Sequence, residues 1–185
     1  MKKKIITITG DLGSGKSSVS NILKEWLNYD YIYTGKIQRE LANRYQMTTL
    51  ELNQYAETHP EIDAEIDATF KSLSDSTDLI IDSRLAWFFV PNSFKVYLQT
   101  DVEVAARRIS NDKQRKSEKK YASIEEAIQE IIARKTSENR RYMELYGANC
   151  SDLSNFNLIV EASLHTPEQS AKEVIDGYKK WLTTT

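Results

Sequence analysis

The sequence predicts an α/β fold in which a parallel sheet is covered by helices on both faces. Three observations carry this reading. A β-branched run, Ile5-Ile6-Thr7-Ile8-Thr9, passes through a glycine-rich turn into apolar residues at helical spacing. Short apolar runs then alternate with helical patterns along the rest of the 185 residues. Finally, these runs do not follow one another as hairpins, so the strands are joined by helical crossovers, the connection that a parallel sheet requires.

Each element has its own signal. Val19, Ile22, Leu23, Trp26 and Leu27 form the apolar stripe of the first helix, and the aromatic-rich stretch from Tyr29 to Thr34 reads as the second strand. Gly35 opens a helix over Ile37 to Tyr45. Thr48 or Thr49 can cap the next one, with Glu51 completing a capping box for Thr48. His59-Pro60 breaks that helix, and Glu61 to Leu73 resumes with Ile62, Ile66 and Phe70 spaced by four, leaving Glu61, Asp63, Glu65 and Asp67 as an expected solvated face.

Asp78-Leu79-Ile80-Ile81-Asp82 and Phe94 to Gln99 read as strands three and four, and Val102 to Ile109 as a helix. Ser123-Ile124-Glu125-Glu126 is a second capping box, followed by a stripe of Ile124, Ala127, Ile128, Ile131 and Ile132. Asn157 to Val160 gives the last strand. Thr166-Pro167-Glu168-Gln169 starts a terminal helix, with Ala171, Val174, Ile175, Tyr178 and Leu182 as its apolar face.

Length and composition fit one domain spanning residues 1–185, with no repeat, low-complexity tract or linker. A single cysteine, Cys150, excludes an intrachain disulfide and makes a reducing, cytoplasmic location the expectation. The basic start, Met1-Lys2-Lys3-Lys4, precedes an apolar run only as long as a strand, which argues against a signal peptide. No run approaches the ~20 apolar residues of a membrane-spanning helix. A net charge of −2 gives no basic footprint for nucleic acid. Charge is uneven, however. Between Arg107 and Lys120 stand seven basic residues against two acidic ones, which suits a solvated helix end or a flap over phosphates.

The chemistry centres on Gly10-Asp11-Leu12-Gly13-Ser14-Gly15-Lys16-Ser17, which fits G-x-x-x-x-G-K-[ST] at every fixed position, between a strand and a helix that continues through Ser18. Such glycines let backbone N–H groups turn inward around phosphate oxygens, and the helix start aims its unpaired amides and dipole at the same charge. Lys16 is expected to reach the β- and γ-phosphates of a nucleotide, and the Ser17 hydroxyl to hold Mg²⁺. Asp82 ends an apolar run where a carboxylate can hold the ion's water shell.

Arg84, two residues on, suits a second phosphate-bearing substrate, because its planar fork meets phosphate oxygens bidentately. Arg39, Arg134, Arg140 and Arg141 are further candidates, and Arg134, Glu138 and Arg141 share one helix face. A phosphate loop, a metal and several arginines suffice for phosphoryl transfer, which is mostly positioning and charge neutralisation. His59, His165 and one cysteine suggest neither a zinc centre nor a nucleophilic triad.

The phosphate loop, Thr34-Gly35-Lys36-Ile37-Gln38-Arg39-Glu40-Leu41-Ala42, His59-Pro60-Glu61-Ile62-Asp63, Ile81-Asp82-Ser83-Arg84-Leu85, Arg134 to Glu138, Arg141-Tyr142 and Tyr146-Gly147 together resemble the cytidylate kinases, particularly the shorter archaeal-type branch. The resemblance covers nearly the whole chain. It implies a nucleoside monophosphate kinase fold, with acceptor-binding helices at about 35–75 and a lid at about 110–140, transferring a phosphoryl group from ATP to CMP or dCMP.

It further implies that Arg39 and Arg84, with Thr34, Gly35, Asp82 and Glu138, form the acceptor site and that Arg141 joins them from the lid side. Arg134, with Arg107 or Arg108, would contact the donor or the transferring group, so that Lys16, Arg134 and Arg141 act on the reaction itself. A monomer or weak homodimer is expected. Two positions depart from the family pattern. Lys36 stands where many archaeal-type members have Asp, and Leu85 where bacterial members have an Asp that reads cytosine. Base choice rests on a few buried polar contacts, so both bear on the acceptor's base. A kinase for another small acceptor, or a silent nucleotide-binding module that regulates a partner, are the alternatives.

Overall fold

The computed structural model describes residues 4–47, 49–56, 58–111 and 121–184. Five strands form one sheet: β1 (Ile5–Gly10), β2 (Asp30–Tyr33), β3 (Leu79–Asp82), β4 (Phe94–Gln99) and β5 (Leu158–Glu161). Their order is β2-β3-β1-β4-β5, and every pairing is parallel. All five strands expected from the sequence are present. The second is one residue shorter at each end, because Thr34 already belongs to the next helix, and the fifth is shifted by one residue.

Eight helices accompany the sheet among the described residues: α1 (Lys16–Leu27), α2 (Thr34–Arg44), α3 (Thr49–Ala56), α4 (Pro60–Leu73), α5 (Ala86–Phe89), α6 (Val102–Asn111), α7 (Ile124–Tyr146) and α8 (Pro167–Thr183). β1 is buried along its whole length, as a central parallel strand must be when helices cover both faces. On one face Ile6, Ile8, Ile80, Phe94, Val96, Leu98 and Val160 pack against Val19 and Leu23 of α1 and Ala171, Val174 and Tyr178 of α8. On the other, Ile5, Leu79 and Ile81 meet Ile37 and Leu41 of α2, Leu52 of α3, Ile62 and Phe70 of α4, and Ala86 of α5. A smaller cluster joins Ala105, Ala106 and Ile109 of α6 to Ala127 and Ile131 of α7.

Some expected apolar positions are not core. Trp26 is 52% exposed, Ile132 47% and Leu182 38%, so each stripe is narrower than its sequence pattern. The acidic residues of α4 are not merely solvated. Asp63 pairs with Arg141 of α7, Glu65 with Arg44 of α2, and Asp67 bonds Tyr146. Of the second capping box, Ser123 accepts from the Glu126 N–H, but the Glu126 carboxylate accepts from Ala122 N–H at 2.6 Å rather than from Ser123. The box at Thr166 and Gln169 is complete. Thr48 and residues 112–120, within the anticipated lid, lie outside the described residues.

Because the strands are parallel, their carboxyl ends gather at one edge. There β1 runs into the phosphate loop, β2 into α2, β3 into Ser83 and Arg84, β4 into Thr100, and β5 into Ala162 and Ser163. β1 lies between β3 and β4, so the chain reverses its direction of travel across the sheet beside the loop, the place where open α/β sheets leave a crevice.

Candidate active site

The crevice is a cleft of about 930 Å³. Its floor is the phosphate loop. Gly13 and Gly15 adopt φ of +76° and +83°, a region that disfavours side chains, and a Cβ on Gly13 would lie 2.9 Å from the Ala105 carbonyl oxygen. Gly15 is the residue before α1, which starts with no side-chain cap and no acidic residue in its first turn. The first amides of α1 therefore present unpaired donors to the cleft, and the Ser14 hydroxyl is buried with no hydrogen-bond partner among the described residues. An anion with several acceptor oxygens fits both features.

Lys16 donates to the carbonyl oxygens of Gly10 at 3.2 Å and Asp11 at 3.1 Å. Burial, reinforced by the nearby Arg84 charge, lowers its ammonium from the usual lysine value to about 8. Ser17 Oγ donates to Asp82 Oδ2 at 3.2 Å, and Tyr31 donates to the same oxygen at 3.2 Å. Burial raises the Asp82 carboxyl, against the opposing pull of Lys16 and these two hydroxyls. Ser17 and Asp82 thus offer adjacent oxygen donors, the ligand chemistry Mg²⁺ prefers; the described residues contain no cluster of three His, Cys, Asp or Glu for another kind of metal site.

Thr34, Gly35, Arg39, Asp82, Arg84, Arg108 and Arg134 line the same cleft with residues 12–18 of the loop. Arg39 lies 5.3 Å from the Tyr33 ring centre and donates to its hydroxyl. Arg84 donates to the Gly10 carbonyl oxygen at 2.8 Å, and its Nε lies 3.2 Å from Glu138 Oε2. The other oxygen of Glu138 accepts from Arg134 Nε at 2.9 Å, so one carboxylate holds two cationic groups at the rim. Arg108 bonds the carbonyl oxygens of Ala162 at 2.8 Å and Ser163 at 3.3 Å, beside His165, at the far end of the cleft.

Other expected residues lie elsewhere. Arg107 points away from the cleft, 65% exposed and 4.0 Å from Glu103. Arg141 faces Asp63, not Glu138. Asp11 contributes its backbone to the loop, but its side chain turns inward, accepting from Tyr97 OH at 2.8 Å, Thr100 N–H at 2.9 Å and Lys135 Nζ at 2.7 Å. Leu85 is buried with Trp87, Tyr97, Cys150 and Phe156, and Lys36 lies 4.0 Å from Glu40 on the outer side of α2. Reading the sequence missed Tyr31, Tyr33, Lys135 and His165, since an isolated tyrosine, lysine or histidine has no spacing that marks it.

A family model described as an AAA domain matches residues 6–132. The chain is 34% identical over 167 residues to the cytidylate kinase of Pyrococcus horikoshii, covering 90% of this chain and 83% of that one. It is 35% identical over 181 residues to that of Sulfurisphaera tokodaii (96% of each chain) and 36% identical over 173 residues to that of Sulfolobus acidocaldarius (92% and 91%).

Solved structures with the same fold include the shikimate kinases of Bacteroides thetaiotaomicron (TM-score 0.65, 16% identity, 96% and 97% coverage) and Aquifex aeolicus (0.58, 18%, 98% and 99%). An uncharacterized protein of Eubacterium ventriosum is also similar (0.69, 14%, 96% and 99%). The identities to these structures are low, and the likeness is one of fold alone. The sequence identities over nearly full length carry more: this chain belongs to the cytidylate kinase family and is a nucleoside monophosphate kinase, a class of enzyme whose phosphoryl donor is ATP.

Proposed function

We propose that the enzyme transfers the γ-phosphoryl group of ATP, with Mg²⁺, to CMP or dCMP, giving ADP and the nucleoside diphosphate. The observation that carries this reading is the convergence of the phosphate loop with Arg39, Arg84 and Arg134 in one cleft. A loop alone binds a nucleotide; arginines facing it across the cleft provide for a second phosphate in line with the first.

Residues 10–18 cradle the donor's phosphates, with Lys16 on the β- and γ-groups and Arg108 towards the rest of the donor. Ser17 and Asp82 would hold the metal, which when bound would supply charge neutralisation for the phosphates. Arg39 and Arg84, beside Thr34 and Gly35, take the acceptor's phosphate. Arg134 reaches the transferring group, with Glu138 orienting both Arg84 and Arg134. Arg141 joins the acceptor only by exchanging Asp63 for a phosphate. Residues 35–75 act as the acceptor-binding region and about 110–140 as the lid.

The test is ADP formation from Mg-ATP with CMP, dCMP, UMP, AMP and GMP in turn, against a control without acceptor. Strong stimulation by CMP or dCMP is the expected result; preference for another monophosphate replaces the assigned base. The burial of Leu85 in an apolar cluster favours a second reading, in which other side chains select a different small phosphorylated acceptor at the same arginines. Stimulation by none of the five monophosphates would favour it.

A further inference from the structure

The helix that carries Arg134 and Glu138 is held unevenly. The first part of α7 is anchored by Ala127 and Ile131 against α6. From Ile132 to Ser137 every residue is exposed, so no buried apolar side chain fixes the stretch in which Arg134 sits. Polar contacts do so instead, and the shortest of them to the phosphate loop is Lys135 Nζ to Asp11 Oδ1, 2.7 Å.

This pair differs from an ordinary surface salt bridge. The Asp11 side chain is only 10% exposed, and its two oxygens are fully engaged by Tyr97, Thr100 and Lys135. Burial alone would raise its carboxyl, but the bonds from Lys135, Thr100 N–H and Tyr97 outweigh burial and hold it below the usual value. The backbone of the same residue accepts from Lys16. Asp11 therefore joins Lys135 of α7 to the loop through its carboxylate and Lys16 through its carbonyl.

We infer that Lys135 is a positioning residue for phosphoryl transfer, its ammonium group docked on the Asp11 carboxylate so that Arg134 and Glu138 are held over the phosphate loop. Arg134 follows the register that Lys135 sets, because the two are adjacent on one rigid helix, and a small rotation of α7 would carry the guanidinium off the cleft. The inference rests on the phosphoryl-transfer reading for what Arg134 does, but the docking itself is measurable without turnover.

The test compares the wild type, Lys135→Met and Lys135→Arg by steady-state kinetics with Mg-ATP and the best acceptor, and by amide hydrogen exchange over 132–141. Lys135→Met is expected to lower kcat about tenfold to a hundredfold while the KM for ATP changes little, and to speed exchange over that segment. Lys135→Arg, which keeps charge and reach, is expected to stay within about threefold of the wild-type kcat.

Wild-type kcat in Lys135→Met would overturn the inference, as would wild-type exchange protection. A raised KM for ATP with unchanged kcat would do so too, by making Lys135 a nucleotide contact. If the wild type turned over none of the monophosphates, the proposed function would fail, and the exchange measurement would still decide whether Lys135 holds the helix.

Discussion

Arg84 donates a hydrogen bond to the carbonyl oxygen of Gly10 over 2.8 Å, linking an arginine proposed for the acceptor to the first residue of the donor's loop. Its loss therefore affects both substrates. Arg84→Ala is expected to reduce kcat/KM for the acceptor by ~30- to ~1000-fold, the equivalent of about 2–4 kcal/mol for charge-assisted contacts, and to lower kcat as well. Unchanged kinetics would remove the acceptor site from this position.

Lys16→Ala is expected to abolish turnover. The wild-type lysine also predicts a pH dependence. With its pKa near 8 in the free protein, kcat/KM for ATP should fall as pH rises past about 8, while bound phosphate shifts the limb in kcat to higher pH. The effect on stability has the opposite sense. Below about 8 the folded protein bears the cost of a buried ammonium; between there and the ordinary lysine range the unfolded chain binds more protons, so this group's contribution to stability rises with pH. Lys16→Met should remove that rise in denaturant titrations between pH 8 and 10.

Asp82 accepts from Ser17 and Tyr31, and an asparagine can keep those acceptor contacts while losing the charge. Asp82→Asn is expected to raise the Mg²⁺ concentration for half-maximal rate and to lower kcat by about a hundredfold, with the melting temperature little changed. A wild-type Mg²⁺ profile would end the metal assignment.

Arg141 and Asp63 offer a contrast between binding and tethering. If Arg141 exchanges Asp63 for the acceptor's phosphate, Asp63→Asn should lower the acceptor KM by about twofold to fivefold and Arg141→Ala should raise it. Equal losses of stability in both variants, with both KM values unchanged, would make the pair a structural tie between α4 and α7.

At Gly10 a Cβ would lie 2.4 Å from the Leu98 carbonyl oxygen and 2.9 Å from the Leu98 nitrogen, both backbone atoms of the paired strand. Gly10→Ala is expected to cost about 3 kcal/mol or more, seen as a lower denaturation midpoint, since β1 and β4 would have to separate. A midpoint equal to the wild type would show that the strands yield at that point.

The sequence by itself determined the elements and the loop. Continuous β-branched, aromatic or apolar runs marked five strands and period-3.6 patterns the longer helices, and the glycines with Lys16 and Ser17 marked the first strand–helix junction as the expected phosphate site, because these signals are local: backbone sterics and burial write them into neighbouring residues. The four-residue helix α5 left no such mark, being too short to show a period.

Tertiary structure decided the rest. It set the strand order, turned Arg84 onto Gly10, gave Arg141 to Asp63 instead of the Glu138 that shares its helix, sent Leu85 into the core and brought Lys135 to Asp11, 124 residues away. Such pairings join residues whose separation along the chain has no period. They form only when helices settle on the sheet and leave particular charges within reach, so the arginines were legible as a group while their partners were decided by packing.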